Sequence, residues 1–298
     1  MTDGFLNVYK EQGYTSFDVV ARLRGILKQK KIGHTGTLDP IAEGVLLVCV
    51  GRATKMCDLL VEKDKKYKCV MLLGKTTDTE DITGHVLSEN ENIPDENRIR
   101  EVIESFICTY DQIPPMYSAI KVNGKKLYEY ARQGIEIERT PRSVTIYDIK
   151  IDSMELPRVS FTVSCSKGTY IRSLCRDIGE KLSCGAVMEK LIRTNVKDFS
   201  VEESHTLKEI EEARDNGTLD KLIIPTDMLL KELPELHIKN DEMSVKLLKN
   251  GNKLSPKNFN ENKIIEDTNI RVYDNDGKFA ALYFYDKNKK QYVPFKIM

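Results

Sequence analysis

Four short segments combine residue types that could do chemistry, and the first surrounds Asp39. Gly33, Gly36 and Pro40 predict a tight loop between a basic stretch and an apolar run. The loop presents Asp39 and His34, and the residue before a proline prefers an extended backbone that projects its side chain from the turn. Such a carboxylate can act on a ligand or can simply cap its own loop as an Asx turn. The spacing alone leaves both interpretations open.

The second segment, residues 166–174, carries Tyr170 and Arg172 at the expected start of a helix. In an extended entry to that helix the two side chains would share one face. A ring and a guanidinium side by side suit one base to stack on and one carboxylate to hold, and a helix start offers free amides to a phosphate. Arg172 could equally pair with a nearby acid such as Asp177.

The third and fourth segments interleave aromatic and basic residues. Tyr67 lies among three lysines, and residues 117–132 hold Tyr117, Tyr128 and Tyr130 among four basic side chains: Lys121, Lys125, Lys126 and Arg132. Stacking rings beside cations favour contact with single-stranded RNA. The lysines beside Tyr67 are also typical of an exposed sheet edge, which they protect from pairing.

Charge is unevenly distributed along the 298 residues, although 46 basic residues balance 46 acidic ones. Residues 201–235 are mainly acidic, whereas residues 20–31 contain no acid and carry Arg22, Arg24, Lys28, Lys30 and Lys31. A neutral total can therefore hide a basic face for a polyanion. Solvated charge scattered over the surface explains the same counts.

Several function classes are excluded by composition. The seven cysteines form an odd set without a CxxC, which argues against a disulfide scaffold or a zinc ribbon and suits a reducing cytoplasm. The longest apolar run, Val45–Val50, is too short to span a membrane, and the start of the chain lacks a secretory signal. The four histidines are scattered without metal-ligand spacing, and no nucleotide-binding glycine motif is present. We expect a cytoplasmic protein without a metal site.

The hydrophobic periodicity predicts an α+β fold: a mixed, largely antiparallel sheet with flanking helices in residues 1–234, and a small β-rich domain in residues 235–298. Strands are predicted at 5–9, 45–50, 66–73, 143–151 and 159–165. Helices are predicted at 16–30, 98–106, 127–133, 169–182 and 201–215. For the first helix we expect Ser16 as N-cap and an apolar face of Phe17, Val20, Leu23 and Leu27. Residues 74–97 are expected to be rich in loops.

Four stretches together are similar to a known family. GHTGTLDPIAEGVL, DKKYKCVMLLGKTTDTEDITG, PPMYSAIKVNGKKLYEYARQGIEIER and CSKGTYIRSLCRDIGEKL resemble the signature stretches of the TruB-type tRNA pseudouridine synthases, in the family's order. They cover most of residues 1–195. Residues 236–298 resemble, by pattern only, the PUA domain that ends many members. The resemblance therefore implies a pseudouridine synthase domain and a PUA-like RNA-binding domain.

The resemblance also implies roles for individual residues. Asp39 matches the catalytic aspartate, Arg172 the arginine that pairs with it, and Tyr67 the tyrosine that lies against the target base. The remaining matches are substrate-binding positions: His34, which would contact RNA beside the target, Tyr170 and Leu191 in the pocket, and Lys10. The family usually has proline after this lysine, where this chain has Glu11.

Members of the family convert uridine 55 of the tRNA T-loop to pseudouridine without metal or cofactor. We expect the same here, by a monomer acting on the tRNA T-arm without a guide RNA, since the long lysine-rich tails of guide-dependent relatives are absent. Three alternatives remain open at this stage. They are a guide-RNA-dependent synthase subunit, a non-catalytic RNA-binding protein, and a nucleoside or glycoside hydrolase that pairs Asp39 with a second carboxylate.

Overall fold

A nine-stranded sheet, a four-stranded sheet, two two-stranded sheets and flanking helices make up the computed structural model. The structure describes residues 2–61 and 64–298, without the side chains of residues 60 and 61. The strands are β1 (Gly4–Lys10), β2 (Ile32–His34), β3 (Glu43–Val50), β4 (Lys65–Leu73), β5 (Lys75–Thr77), β6 (Val86–Glu89), β7 (Thr109–Gln112), β8 (Lys121–Val122), β9 (Lys125–Lys126), β10 (Arg142–Glu155), β11 (Arg158–Cys165), β12 (Ala186–Val196), β13 (Phe199–Ser200), β14 (Glu235–His237), β15 (Asn269–Tyr273), β16 (Phe279–Asp286) and β17 (Gln291–Ile297).

The helices are α1 (Ser16–Ile26), α2 (Cys57–Val61), α3 (Glu96–Glu104), α4 (Leu127–Ala131), α5 (Ile171–Lys181), α6 (Leu207–Asp215) and α7 (Glu242–Lys249), with 3-10 turns at Gly51–Met56, Leu219–Lys221, Thr226–Leu230 and Pro256–Asn258. None of the described helices is long and apolar enough to cross a bilayer.

The larger sheet has the order β1-β3-β12-β4-β11-β10-β7, with β2 on β3 and β13 on β12. Its strand pairs are antiparallel except for β3 and β12, which run parallel over two residue pairs. The smaller sheet has the order β14-β15-β16-β17. The predicted α+β class, with a mixed, largely antiparallel sheet and a small second sheet, is therefore confirmed.

Period-two alternation explains the central strand β4. Tyr67, Cys69, Met71 and Leu73 are buried on one face, as predicted, whereas the intervening lysines at 66 and 68 are exposed. Alternating side chains point to opposite faces of a strand, so the apolar set reaches the core under α3 and α5. The same core receives Leu38 and Leu191, which brings the Asp39 loop and β12 to this face of the sheet.

Helix α1 differs from its prediction at both ends. Its N-cap is Thr15, whose hydroxyl accepts a hydrogen bond from the Asp18 backbone while Asp18 binds back, a capping box that fixes the start. The helix ends at Ile26, because Lys28 adopts a left-handed φ of 49°. Phe17 is 65 % exposed and does not belong to the buried face.

Other boundaries also shift. The acidic stretch forms a helix only from Leu207, because Thr206 caps it through Glu209. Helix α5 begins at Ile171 with Tyr170 as its cap, two residues later than predicted. The segment expected to be rich in loops contains the short β5–β6 hairpin.

The end of β3 carries a disulfide that the cysteine pattern did not predict. Cys49 and Cys57 are bonded, with their Cα atoms 6.3 Å apart. The cysteine pattern argued against a disulfide scaffold and gave no signal for this pair, which the turn at Gly51–Met56 brings together.

The second sheet packs against the first half of the chain near this disulfide. Phe5, Cys49 and Met56 share an apolar cluster with Leu282, and Met298 packs against it. Lys296 binds the Asp58 carboxylate, and Lys55 donates to the Ile297 carbonyl at 2.8 Å. The 51–58 segment is thus held between the two sheets.

Candidate active site

Asp39 lies in the loop that connects β2 and β3, and neighbouring elements fix the backbone of this loop. The Ser16 hydroxyl of α1 accepts a hydrogen bond from the Leu38 amide at 2.8 Å. This is why Ser16 is not the helix cap: its hydroxyl is already committed to the loop. The Asp39 carbonyl accepts from the Ala42 amide, which closes the turn around Pro40.

Lys10 donates hydrogen bonds to the backbone of the same loop. Its side chain is fully buried at the end of β1, and its ammonium donates to the carbonyls of Ala42 at 2.6 Å, Glu11 at 3.1 Å and Pro40 at 3.5 Å. Lys10 was predicted to bind substrate, but its donors are spent on the backbone. The structure therefore places the ammonium against the backbone of the Asp39 loop, and substrate binding by Lys10 stays a prediction.

Arg193 of β12 is a third support, and it was missed from the sequence. It is 2 % exposed, and its guanidinium donates to the carbonyls of Val45 at 2.7 Å, Gly36 at 3.3 Å and Thr37 at 3.4 Å. Leu191 was singled out two residues earlier on the same strand. Because residues two apart share a strand face, that spacing was a signal for Arg193.

The Asp39 carboxylate meets Arg172 as predicted from the resemblance. Arg172 Nη2 donates to Asp39 Oδ1 at 3.0 Å, and Nε lies 2.8 Å from Oδ2 as an ion pair without the alignment of a hydrogen bond. The Arg172 side chain is 4 % exposed, whereas that of Asp39 is 32 % exposed. The Asp39 carboxylate is therefore partly exposed, whereas the Arg172 guanidinium that pairs with it is buried.

Arg172 is itself oriented by backbone carbonyls on two loops. Nη1 donates to the Thr79 carbonyl at 3.0 Å, and Nη2 donates to the Tyr117 carbonyl at 2.8 Å. The alternative pairing of Arg172 with Asp177 does not occur, since Asp177 accepts from Arg176 and from Tyr110.

Asp81 is the second carboxylate near Arg172, with its Oδ2 at 4.0 Å from Nη1. It is buried, and its Oδ1 accepts hydrogen bonds from Thr79 Oγ1, from the Thr83 backbone and from Thr83 Oγ1. Asp81 is thus committed to its own turn and does not offer the exposed second acid that a hydrolase would need.

Leu38, the neighbour of Asp39 in the chain, belongs to an apolar cluster that also contains an aromatic side chain. Tyr67 and Leu191 are buried in the same cluster as Leu38, and they come from the adjacent strands β4 and β12. Burial raises the pKa of Tyr67, while the Arg193 guanidinium acts in the opposite direction, so the phenol stays protonated at neutral pH. Tyr67 and Leu191 are therefore part of the apolar core that begins beside Asp39.

Tyr170 lies at the cap of α5 and is held there by its backbone. Its amide donates to Gln112 Oε1 at 2.8 Å, and Gln112 Nε2 donates back to the Tyr170 carbonyl at 3.1 Å. These two hydrogen bonds connect the edge strand β7 to the start of α5. Tyr170 has an extended backbone, with φ −98° and ψ 113°, and Arg172 follows in the first turn of α5, so the extended entry ends at Tyr170.

His34 lies at the end of β2, at one side of an open groove. Burial and the Arg193 charge lower the pKa of His34, so its ring is neutral at pH 7. The groove has a volume of about 470 Å³, and no Asp or Glu contributes to its lining, which includes five cations: Arg24, Lys30, Lys31, Arg52 and Lys55. The basic stretch predicted from the sequence thus forms one wall of a cationic groove next to the Asp39 loop.

The aromatic and basic segment at 117–132 forms the β8–β9 hairpin and α4. Lys126 and Arg132 both lie over the Tyr128 ring, at 5.3 Å from its centroid. Tyr117, at its start, is the residue whose carbonyl binds Arg172. Across the described residues, no group of three or more His, Cys, Asp or Glu side chains is arranged to hold a metal ion.

Comparison with known families matches nearly the whole of the larger domain. Residues 24–171 match the N-terminal domain of the TruB family of pseudouridylate synthases, and residues 172–231 match the tRNA pseudouridylate synthase B C-terminal domain. A tRNA pseudouridine synthase B from Lachnoclostridium phytofermentans is 56% identical over 306 residues, which cover 99% of both chains. The corresponding protein of Clostridium acetobutylicum is 49% identical over 280 residues, or 94% of each chain.

The fold has a counterpart among solved structures. A chain in the structure of an H/ACA RNP bound to a substrate RNA containing 2′-deoxyuridine superposes with a TM-score of 0.71 at 24% identity, over 99% of this chain and 84% of that one. At this identity the likeness concerns the fold alone. The full-length relatives decide the class, since they exclude the hydrolase and the non-catalytic alternatives. On these grounds, the chain belongs to the TruB family and is a tRNA pseudouridine synthase, an isomerase.

Proposed function

We propose that this enzyme converts uridine 55 in the T-loop of tRNA to pseudouridine, with Asp39 as the catalytic carboxylate. The observation that carries the proposal is the Asp39–Arg172 pair, whose carboxylate is open on one side and whose cation is buried. Isomerisation breaks the bond from N1 to the ribose and joins C5 to the same carbon, while C5 gives up its proton and N1 takes one up. Atoms and electrons balance, so the reaction needs neither a redox partner nor an energy source.

Two chemical roles are open to Asp39 in this arrangement, that of a nucleophile and that of a base. As a nucleophile it traps the ribose carbon that becomes positive when the base departs. As a base it removes the proton from the ribose 2′ carbon. In both roles the Arg172 guanidinium holds the carboxylate in place through its hydrogen bond to Oδ1 at 3.0 Å. We assign to the apolar cluster of Tyr67 and Leu191 the exclusion of water, which would keep the detached uracil from being lost.

The target base must leave the folded T-loop, at a cost of a few kcal/mol. We assign Tyr67 to lie against the extruded uracil, with Tyr170 and Leu191 lining its pocket. The neutral His34 ring is suited to fill the space that the base vacates. The cationic groove beside His34 and the 117–132 segment would hold the tRNA backbone.

The wider assignments follow from the same proposal. The family match ends at residue 231 and β14 begins at Glu235, which supports a boundary between 234 and 235 and a PUA-like RNA-binding domain after it. We assign the activity to a monomer in the cytoplasm that needs no guide RNA. The identity to stand-alone tRNA synthases favours this over a guide-dependent subunit.

The test is incubation of the purified chain with an unmodified tRNA transcript, followed by chemical mapping of pseudouridine. We expect one modified position, in the T-loop at 55, with no free uracil and no requirement for a second RNA. A transcript with cytidine at that position is the matched control. Modification at another site, or only with an added RNA, would refute the assignment.

The variant Asp39→Asn tests the carboxylate. The amide keeps the shape but cannot ionise, so turnover should fall by at least about 1000-fold while tRNA affinity stays within twofold. Single-turnover rates and filter binding measure the two quantities separately. Retained turnover in the folded variant would contradict the role of Asp39.

A further inference from the structure

A second arginine lies one helical turn after Arg172 on α5, and nothing in the proposed chemistry uses it. Arg176 contacts the Glu80 carboxylate, donates to the Ile113 carbonyl at 3.0 Å and to Asp177 at 2.7 Å. The Arg176 and Glu80 side chains are 18 % and 9 % exposed. Neither residue is among those that contact Asp39.

The two arginines bind the same two loops. Arg172 takes the carbonyl of Thr79, and Arg176 takes the side chain of the next residue, Glu80. Arg172 also takes the carbonyl of Tyr117, and Arg176 that of Ile113 in the same irregular segment. Because residues four apart on a helix lie on one face, α5 carries the two guanidinium groups on the same face, one turn apart.

Glu80 combines a strained backbone with hydrogen bonds from both its side chain and its backbone. Its backbone has a left-handed φ of 62°, a conformation that L side chains rarely adopt, and its side chain accepts from the Ser173 hydroxyl at 2.7 Å. Its own carbonyl accepts from the Met188 amide at 3.1 Å, which anchors it to β12. Glu80 therefore connects β12, the 79–83 turn and α5.

We propose that Glu80 and Arg176 are a positioning pair for the isomerisation. They fix the Thr79 and Tyr117 carbonyls against α5, and these carbonyls hold the Arg172 guanidinium toward Asp39. The pair acts through Arg172 and touches no reacting atom. This inference rests on the proposed role of the Asp39–Arg172 contact.

The decisive variant is Glu80→Met with Arg176→Met, which removes both charges and keeps the volume. Replacing a buried ion pair by apolar residues is often neutral for stability, so folding and function separate here. We expect tRNA affinity within twofold of wild type and a thermal midpoint close to it. The single-turnover rate at saturating tRNA should fall about 10- to 100-fold, as expected when a catalytic group is displaced by about 1 Å.

Two further variants keep the test informative if the double variant does not fold. Arg176→Lys keeps the charge near Glu80 but loses the fork that reaches Ile113, and Glu80→Gln keeps the acceptor from Ser173 without the charge. Each should lower the single-turnover rate less than the double change does, with unchanged affinity. The matched control is Arg158→Met with Glu189→Met, a bidentate exposed pair with both contacts at 2.9 Å, which should keep the wild-type rate.

Wild-type single-turnover rates in the folded Glu80 and Arg176 variants would show a purely structural pair and overturn the inference. A parallel loss of affinity would also overturn it, since it would place the pair in binding. The Asp39→Asn enzyme separates this from the proposed function. If that variant is inactive while the Glu80 and Arg176 variants are normal, only the positioning role fails.

Discussion

Lys10 is a buried cation whose surroundings predict a specific pH response. Burial lowers the pKa of Lys10 to about 8, partly offset by Asp39 and Glu43, while Arg193 acts in the same direction as burial. Its ammonium serves three backbone carbonyls around the Asp39 loop. A neutral amine has only two N–H groups, so deprotonation removes one of these three hydrogen bonds.

We therefore expect the single-turnover rate to fall as pH rises through about 8, because the Asp39 loop loosens. Stability responds with the opposite sign. The unfolded lysine keeps its proton to about pH 10.5, so between these values the unfolded state binds more protons, and this group's contribution to the free energy of unfolding rises with pH. Below pH 8 the cost of the buried charge is present in full.

Rate–pH profiles of three enzymes check this assignment. The Lys10→Met variant should be slower and should lack the limb near pH 8, although Asp18, Asp39, Glu43 and Arg193 around it are unchanged. Lys65 also has a pKa lowered to about 8, so Lys65→Met is the control that should retain the limb. Loss of the limb in the Lys65 variant instead would assign it to that residue.

Some contacts between individual residues could be predicted from the sequence, and others could not. The Asp39–Arg172 contact was predicted because the resemblance names both residues. Arg193 was not, because an arginine that donates to backbone carbonyls has no complementary acid to mark it in the sequence. The Glu80–Arg176 pair was missed for another reason: 96 residues separate the partners, and no periodicity relates them.

At the scale of elements, the parallel contact of β3 and β12 depends on Gly44. It has a φ of +101°, and a Cβ there would lie 2.3 Å from the Arg193 carbonyl oxygen. Gly44→Ala should therefore lower the free energy of unfolding by about 2–5 kcal/mol, from left-handed strain together with overpacking. Chemical denaturation measures the change.

Gly25→Ala is the matched control, because nothing lies within 4 Å of a Cβ on this helical glycine. It should leave stability unchanged or raise it by up to about 1 kcal/mol. An unfolding free energy for the Gly44 variant equal to that of wild type would contradict the close approach of the two strands.

Element types were easier to predict than their ends. Alternation on β4 and the apolar run in β3 gave strands because burial of one or both faces leaves a direct pattern. The ends of α1 and α6 depended on capping side chains at Thr15 and Thr206, which compete with equally plausible neighbours in the sequence. The β3–β12 pairing left no local signal, since it joins distant segments.

For the whole molecule, zero net charge conceals a cationic groove, and this predicts the salt response of tRNA binding. Lys30→Gln with Lys31→Gln should weaken binding and reduce the slope of log affinity against log salt by about one to two, because each phosphate contact releases counterions. The single-turnover rate at saturating tRNA should stay unchanged.

Lys208→Gln with Lys221→Gln changes the net charge equally but lies outside the groove lining. It should leave the salt slope at its wild-type value. Equal slopes for both double variants would mean that the total charge, and not the groove, governs association.

The order of synthesis has a consequence for when this enzyme becomes competent. Asp39 meets Arg172 across 133 residues, and the Asp39 loop rests on Arg193, whose contact with Val45 spans 148 residues. Contacts of such long range form late, after most of the chain has left the ribosome. We therefore expect a nascent polypeptide that stops short of residue 193 to carry Asp39 without the support of its loop, and to gain activity only once β12 has been synthesised.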